Sequence, residues 1–393
     1  MMISGGLIAA LGAYVFQVYG GRALGAEAFA PISVLWTAYF ILATVLLVPL
    51  EQYVTREVSR GRSAIPGDLP AILAVTAVGA VAGAAFVVLT RESLFEGRWV
   101  FVLQMALVVL GSGIFFVAKG ILAGRRRFAA VGWVLIVESA ARLVAAVLLV
   151  GWIASSVSLA WAIVVGPLAV LGLAFWRHDT GDRATPPTPP GRFLTSYVGG
   201  TTSAQLLLGG APLAVAALGA PPALVSVVFV TFTLFRAPLT LIFSLQGRIL
   251  PMLVGMHGSD DASGLRRIGL LVGVGAATLA VIGGAVGWAV GPQVVSTLYG
   301  EEFTPGATVA MLAAAGIVVA SGAQIAGQVL VARARTGRLA LAWMAGLLVA
   351  MVVLAVSSGT PDLRVAVAFV VGEAVALGVV LAQVLRSTPL SAV

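Results

Sequence analysis

Four ionisable residues interrupt long apolar runs of this sequence and are the first candidates for chemistry. They are Glu138, Arg142, Arg236 and Glu373. A guanidinium can hold a phosphate or diphosphate through two parallel charge-assisted hydrogen bonds, so an arginine in such a run is a candidate anion site. A carboxyl group in the same surroundings can take up a proton or a sodium ion. A charge at membrane depth costs about 2.5–3.5 kcal/mol, so each of these residues needs a partner or a function.

Arg236 is the strongest candidate because it lies near the middle of the run at 224–245, with Pro238 two residues later. Proline lacks a backbone N–H and can leave carbonyl groups free to line a cavity. Arg236 is therefore predicted to bind an anionic group, and the alternative is a structural ion pair with an acid on another helix. Glu373 is predicted to exchange a proton or Na⁺, or to pair with Arg236 in the same half of the chain.

Glu138 and Arg142 are four residues apart with the acid first, which places them on one helix face in the favourable order. They form either a self-neutralising pair inside a helix bundle or an ion pair that opens when a ligand arrives.

A second group of polar candidates consists of Arg22, Gln205 and the run Arg125, Arg126 and Arg127. Arg22 is expected to guide a ligand at the outer face or to anchor its helix at the interface. Gln205 is expected to bind sugar hydroxyls or to join two helices through a hydrogen bond. The three consecutive arginines either attract anionic headgroups and phosphates or serve only to keep this loop on the cytoplasmic side of the membrane.

Composition defines the class of protein. The 393 residues are 60% hydrophobic and 10% charged, with a mean hydropathy of +1.08, whereas soluble domains carry roughly 25% charged residues. The absence of cysteine and the presence of only two histidines exclude disulfides, thiolate zinc sites and His-rich metal sites. We therefore expect no metal and no cofactor. The net charge of +8 is carried by short loops, so a nucleic-acid partner is not expected.

Twelve apolar runs are long enough to span a bilayer, which takes about 20 residues. They lie at 1–20, 32–54, 70–90, 99–118, 129–150, 157–176, 193–217, 224–245, 268–290, 306–332, 339–356 and 365–385. Most of the 23 basic residues fall in the connections on one side, whereas the opposite connections hold only Arg22, Arg91, Arg98 and Arg364. By the positive-inside rule, both termini are predicted to be cytoplasmic in a multi-pass protein of the plasma membrane.

The Pro-rich stretch at 177–192 divides the sequence into two halves. We predict an N-terminal six-helix lobe at 1–176, a cytoplasmic linker at 177–192 and a C-terminal six-helix lobe at 193–393. Weak internal similarity suggests a duplication. Leu24-Gly25-Ala26 matches Leu218-Gly219-Ala220, and aligning Trp133 with Trp343 places Arg125 on Arg335. Such a parallel repeat predicts a ligand site between the halves.

Four segments resemble one family of transporters. They are GGRALGAEAFAPISVLWTAYFI (20–41), KGILAGRRRFAAVGWVLIVESAARLVAAVLL (119–149), LYGEEFTPGA (298–307) and QVLVARARTGR (328–338). In this order and spacing they resemble the polysaccharide flippases of the multidrug/oligosaccharidyl-lipid/polysaccharide exporter superfamily. The resemblance implies an all-α polytopic membrane protein with about 12 transmembrane helices, in two six-helix lobes around a central cavity.

The same resemblance implies the substrate, the partners and the source. The substrate would be a polyprenyl-diphosphate-linked oligosaccharide, moved across a bacterial cytoplasmic membrane by alternating access. Arg236 would then bind the diphosphate, and Arg125, Arg126 and Arg127 would attract the substrate at its cytoplasmic access point. Membrane lipids, a glycan polymerase and glycosyltransferases are the expected partners. Coupling to H⁺ or Na⁺ stays open.

Three alternatives remain at this stage. A cation-coupled multidrug-type exporter would need acidic cavity groups, but Glu138 and Glu373 are offset by Arg142 and Arg236. A lipid II flippase of the sister branch would have fourteen spans and an aspartate after Arg22, where this sequence has Ala23. A membrane glycosyltransferase would need a large catalytic loop, and no connection exceeds about 20 residues. We therefore expect a transporter and not an enzyme.

Overall fold

The structure of the protein is a computed structural model that describes residues 2–178, 202–237, 239, 262–333 and 335–386. The chain divides into two compact units, Met1–Gly199 (unit 1) and Gly200–Val393 (unit 2). Every regular element of two or more residues in the described ranges is a helix. The predicted linker at 177–192 falls almost entirely outside these ranges, so its conformation and the predicted lobe boundaries stay predictions.

The helices of unit 1 follow the first six predicted spans. They are α1 (Met2–Leu42), α2 (Val48–Ser59), α3 (Ala64–Leu94), α4 (Val100–Gly124), α5 (Phe128–Trp152) and α6 (Ser156–Leu168). Gly25 has φ 78° and ψ 167°, which are not helical values. The helix α1 is therefore kinked at Gly25 and consists of two helices in direct succession. A π-helical turn at Ala43–Leu47 joins α1 to α2, because Pro49 offers no N–H to the carbonyl of Val45.

The helices of unit 2 are α7 (202–209), α8 (Ala211–Ala217), α9 (Pro222–Phe235), α10 (Ala262–Tyr299), α11 (Ala307–Ala332), α12 (Thr336–Val356) and α13 (Pro361–Leu385). The predicted span at 193–217 is thus broken at Gly210. The predicted span at 224–245 is described as a helix only to Phe235, and most of its remainder lies outside the described residues.

Nine helical segments within the described ranges are long and apolar enough to cross a membrane. One of them, Ser4–Ser59, has 56 residues and covers the first two predicted spans. The chain is therefore a multi-pass membrane protein.

The glycines of the two Leu-Gly-Ala triplets have similar positive φ angles in the two units. Gly25 and Gly219 have φ values of 78° and 74°, as expected if the two Leu-Gly-Ala triplets are equivalent. Such values suit glycine, which has no Cβ to clash with the backbone.

The loops after α4 and α11 correct the predicted alignment by two residues. Arg125 and Arg333 occupy the same C-cap conformation, and Arg127 and Arg335 the same N-cap conformation. Arg125 therefore corresponds to Arg333 and not to Arg335.

Exposure of the following helices agrees with this corrected register. Trp133 is 56% exposed and now matches Leu341, which is 59% exposed, whereas Trp343 is only 4% exposed. A shift of two residues rotates a position by roughly half a helical turn, so aligning the two tryptophans placed a lipid-facing residue on a core residue.

Small residues set how closely α2 and α4 approach each other in unit 1. A Cβ added to Gly120 would lie 2.9 Å from the Glu51 carbonyl oxygen, and one added to Gly124 would lie 2.9 Å from the Thr55 carbonyl oxygen. Both contacts are to backbone, which cannot move aside as a flexible side chain can. This is the small-residue packing that membrane helices use in place of a hydrophobic driving force.

We expect Gly120→Val or Gly124→Val to destabilise the protein by about 1–3 kcal/mol, because valine overpacks the α2–α4 contact. The melting temperature in detergent, followed by fluorescence-detected size exclusion, should fall by several degrees. Gly275→Val is the matched control, because nothing lies within 4 Å of a Cβ at that position of α10. Equal melting temperatures for Gly120→Val and Gly275→Val would contradict the close approach of α2 and α4.

Candidate functional site

A broken helix in unit 2 leaves one backbone carbonyl without its helical donor. Pro212 follows Leu208 by four residues and has no N–H, so the Leu208 carbonyl cannot make its i to i+4 hydrogen bond. The chain leaves helical geometry at Gly210, whose N–H donates to Leu206 O at 2.8 Å. In a membrane such a carbonyl needs a donor from elsewhere in the protein.

Arg236 supplies that donor. Its Nη2 group donates to the Leu208 carbonyl oxygen in a short hydrogen bond. The side chain is half-buried. The helix α9 ends at Phe235 and Arg236 is its C-cap residue, with a backbone N–H that donates to Phe232 O at 3.2 Å. Ala237 and Leu239 are helical again, so the position of Arg236 near the middle of a span stays a prediction. Pro238 lies outside the described residues.

Glu373 of α13 is the acidic neighbour of this arginine. The side chain is completely buried, and neither carboxylate oxygen has a hydrogen-bond partner within the described parts of the chain. The charge of Arg236 acts on Glu373 electrostatically. No salt bridge joins them within 4 Å in the described structure. The two residues predicted to meet in one half of the chain are therefore neighbours without direct contact.

An aromatic contact joins the helices that carry these two charges. The rings of Phe232 in α9 and Phe369 in α13 lie 5.2 Å apart in an edge-to-face arrangement. Phe232 precedes Arg236 by four residues, and Phe369 precedes Glu373 by four. One helical turn therefore separates each ring from its charge. The pair therefore brings α9 and α13 into contact one helical turn before the two charges.

Gln205 lies on α7, three residues before Leu208. The side chain is half-buried, and its Oε1 atom has no hydrogen-bond partner in the described ranges. Gln205 thus belongs to the helix that presents the Leu208 carbonyl to Arg236. Its predicted role in binding a sugar hydroxyl stays a prediction.

Glu138 and Arg142 form the buried polar centre of unit 1. Arg142 Nη1 donates to Glu138 Oε1 at 2.6 Å, and both side chains are buried. The guanidinium also lies over the rings of Trp36 and Phe16, at 5.1 and 5.6 Å from their centroids. Cation–π contacts of this kind partly replace the lost hydration of the arginine. The structure therefore shows the ion pair closed.

Neighbouring helices fix this pair in place. Phe16 and Trp36 come from the two parts of α1 and stack on each other at 5.5 Å. On the other side, a Cβ at Gly166 of α6 would lie 3.0 Å from Glu138 Oε1, so only glycine permits this approach. Tyr39 and Ser112 share a 2.9 Å hydrogen bond, and Tyr39 is within the electrostatic influence of both charges.

The remaining predicted site residues lie nearer the surface of unit 1. Arg22 is exposed on α1, three residues before the Gly25 kink. Arg125 is half-buried and Arg126 and Arg127 are exposed in the turn between α4 and α5. Their predicted roles in substrate release and access are not tested by these positions.

Sequence reasoning missed a buried ionic cluster between α2 and α3. Arg62 is bound by Glu57 through a short hydrogen bond and by Asp68 Oδ2 at 3.4 Å, and all three side chains are buried. Burial lowers the pKa of Arg62, but the hydrogen bond to Glu57 and the charge of Asp68 outweigh it and hold the pKa above its ordinary value. The signal in the sequence was an arginine between two acids within twelve residues, of which only the arginine entered the topology prediction.

The predicted buried residues therefore form two groups, one in each unit of the chain. Glu138 and Arg142 form the first group, and Arg236, Glu373 and the Gln205 helix form the second. Among the described residues, no cluster of three or more His, Cys, Asp or Glu side chains could hold a metal ion.

Comparison with known proteins identifies the fold. No family model matches the chain. Uncharacterized proteins of Mycobacterium bovis and Mycobacterium tuberculosis are 27% identical over 398 residues, which span 97% of this chain and 90% of each relative. Among solved structures, an inward-facing multidrug resistance MATE family transporter of the MOP superfamily matches with a TM-score of 0.70. It is 15% identical and covers 96% of this chain and 93% of its own.

Two further solved structures agree. A MOP superfamily transporter from Pyrococcus furiosus, for which a reverse polarity of the binding pocket suggests a different function, has a TM-score of 0.65. It is 15% identical over 98% of this chain and 96% of its own. The eukaryotic MATE transporter AtDTX14 has a TM-score of 0.62 and is 16% identical over 98% of this chain and 95% of its own. The fold is that of the MATE transporters. The predicted all-α, 12-helix, two-lobe class is thereby confirmed.

We expect either single substitution Glu138→Leu or Arg142→Met to destabilise the protein more than the two combined. Each single change leaves an unpaired buried charge, which costs about 3–5 kcal/mol, whereas an apolar pair of similar volume is often neutral. The melting temperature in detergent should fall on the order of 10 °C for each single variant and recover most of this in the double variant. Additive losses would show that the two charges do not stabilise each other.

Proposed function

We propose that the protein is a flippase that moves a polyprenyl-diphosphate-linked oligosaccharide across the bacterial cytoplasmic membrane by alternating access. The observation that carries the proposal is the half-buried guanidinium of Arg236, held at the break of α7–α8 by the Leu208 carbonyl. The MATE fold supports a membrane exporter, and the flippase resemblance of the sequence supports the lipid-linked substrate. Both termini are then cytoplasmic.

The electrostatic difference between the two polar centres favours an anionic ligand in unit 2. In unit 1 the charge of Arg142 is neutralised by a direct ion pair with Glu138. In unit 2 Arg236 binds a neutral carbonyl, which orients the guanidinium without cancelling its charge. A guanidinium has five N–H donors, so binding one carbonyl is compatible with binding two oxygens of a diphosphate. Diphosphate is the constant part of lipid-linked sugars.

The protonation state of Glu373 can control how strongly Arg236 binds the diphosphate. When the carboxyl group carries a proton, Arg236 contributes the only charge of the Arg236–Glu373 pair. When the proton leaves, the carboxylate opposes binding of an anion through the same electrostatic coupling. Proton uptake would therefore strengthen diphosphate binding and proton loss would weaken it. Na⁺ beside Glu373 would have the same effect as a proton.

The other predicted residues complete the substrate path in this proposal. Arg125, Arg126 and Arg127 attract the phosphates on the cytoplasmic side, and Arg22 meets the substrate at the outer face. Gln205 binds a sugar hydroxyl, and the Glu138–Arg142 pair opens during the transport cycle. Glycosyltransferases would supply the lipid-linked glycan, and a glycan polymerase would consume it.

One observation favours a second candidate, an exporter of cationic small molecules. Glu373 is a completely buried carboxyl group without a hydrogen-bond partner in the described chain, and such a group can hold a cation. Some structures with this fold are multidrug resistance transporters. In that case drug addition to proteoliposomes would drive a proton or sodium flux, and lipid-linked glycan would not move between leaflets.

The decisive test separates the structural role of Arg236 from substrate binding. Pro212→Ala restores an N–H for the Leu208 carbonyl, so Arg236 is no longer needed as its donor. We expect the double variant Pro212→Ala/Arg236→Gln to fold but to lose about 10–100-fold of its rate, since a hydrogen bond to a charged group contributes about 1.5–3 kcal/mol. The rate is that of a labelled polyprenyl-diphosphate oligosaccharide changing leaflet in proteoliposomes.

The matched control is Arg364→Gln. Arg364 also lies in unit 2 and also donates to a backbone carbonyl, that of Leu354 at 2.7 Å. This variant and Pro212→Ala alone should keep most of the flipping rate. If the double variant flips substrate at the rate of Pro212→Ala alone, Arg236 is only a helix-break donor and the proposal loses its foundation.

Glu373→Gln provides an independent test of coupling. The amide is isosteric with a protonated carboxyl group but cannot exchange a proton. We expect this variant to bind a polyprenyl diphosphate while its flipping rate no longer responds to an imposed pH or Na⁺ gradient. Glu301→Gln is the control because Glu301 is exposed between α10 and α11. An unchanged gradient response in Glu373→Gln would remove Glu373 from the coupling step.

A further inference from the structure

Unit 2 contains an apolar cavity next to the Arg236 site. Its volume is about 110 Å³ and its walls come from α7, α8, α12 and α13. Leu207, Ala211, Leu347, Ala350, Val365 and Phe369 are among the residues that line it. Leu206 and Met351 also line it and are 37% and 57% exposed, so the cavity opens onto the surface of the unit.

The cavity lies at the helix break. Gly210 separates α7 from α8 and lines the cavity without a side chain, and a Cβ there would lie 2.4 Å from the Leu206 carbonyl oxygen. Ala211, Ala214 and Ala350 contribute only methyl groups to the walls. A cavity with apolar walls offers no partners to water and stays dry. For a membrane protein the available occupant is a hydrocarbon chain.

The cavity and the cationic site share two structural elements. Leu206 and Leu207 line the cavity on α7, and the next residue, Leu208, holds Arg236 through its carbonyl. Phe369 also lines the cavity and contacts Phe232, which lies one helical turn before Arg236. A lipid whose anionic group binds Arg236 would therefore have an apolar site for its chain in the adjoining wall.

We propose that this cavity binds one of the isoprene units nearest the diphosphate of the lipid carrier while Arg236 binds the diphosphate itself. The inference rests on the proposed function and adds to it a second binding site, for the tail. The commitment to a prenyl chain follows from the charge beside the cavity, since the same molecule must present a diphosphate at one end and a branched hydrocarbon directly attached to it. Recognition of the carrier would then depend on unit 2 and not on the glycan.

Photolabelling in nanodiscs tests this placement without requiring transport. The probe is a polyprenyl diphosphate without sugar that carries a diazirine in its second isoprene unit. We expect labelled peptides from the cavity walls, at α7–α8 and around Leu347 and Ala350. An excess of unlabelled polyprenyl diphosphate should reduce the labelling about tenfold, whereas the same excess of phosphatidylglycerol should not.

Ala214→Phe fills the cavity and should reduce the labelling about tenfold. Ala217→Phe is the matched control, because Ala217 is exposed on the same helix and does not line the cavity. Leu347→Ala, which enlarges the cavity, should keep the label within its walls even if Ala214→Phe fails to fold. Melting temperatures establish which variants are folded.

Two results would overturn the inference. Labelling outside the cavity walls would place the tail elsewhere, and equal competition by phosphatidylglycerol would show a site for ordinary membrane lipids. Either result can occur while wild-type protein still flips a lipid-linked glycan in an Arg236-dependent manner, in which case only the tail site is wrong. Absence of flipping, with correct prenyl labelling, would instead remove the proposed function and keep the site.

Discussion

A carbonyl without a helical donor is the constraint on which unit 2 depends. Within a bilayer a backbone polar group has no water to satisfy it, so Pro212 could break its helix only where another donor reaches Leu208. Arg236 is that donor. The same bond supports a charge that would otherwise be costly at this depth. The cationic site and the neighbouring cavity therefore both lie at a single helix break, which this hydrogen bond stabilises.

The two units solve the problem of buried charge in different ways. Unit 1 closes a 2.6 Å ion pair, covers it with the rings of Phe16 and Trp36, and uses Gly166 to bring α6 against it. In unit 2 no salt bridge within the described residues joins Arg236 to Glu373, and the rings of Phe232 and Phe369 join their helices. The two charges of a closed ion pair largely cancel each other, whereas separated charges can still bind a proton or an anion. This asymmetry is the reason that we propose the ligand site in unit 2.

The sequence was sufficient for the fold class because membrane spans are long, apolar and separated by basic loops. It also identified Glu138, Arg142 and Glu373, which the structure shows to be buried, since an ionisable residue is conspicuous in an apolar run. It could not identify Pro212 as the important proline, because the acceptor freed by a proline becomes visible only when its donor, 28 residues away, is placed. The Trp133–Trp343 alignment failed similarly, because chemical identity was compared without knowing which helix face meets lipid.

The position of the cavity follows from the same physics as the position of the charge. A helix break frees a carbonyl, which requires a donor, and it also removes side chains from the core, which leaves space. Breaking a membrane helix therefore produces a polar site and an apolar site side by side. A prenyl diphosphate likewise has a charged group and an apolar chain that are directly attached to each other. A soluble anion or an amphiphilic cation would use only one of the two sites, and for that reason we propose a lipid diphosphate as the ligand of unit 2 rather than either.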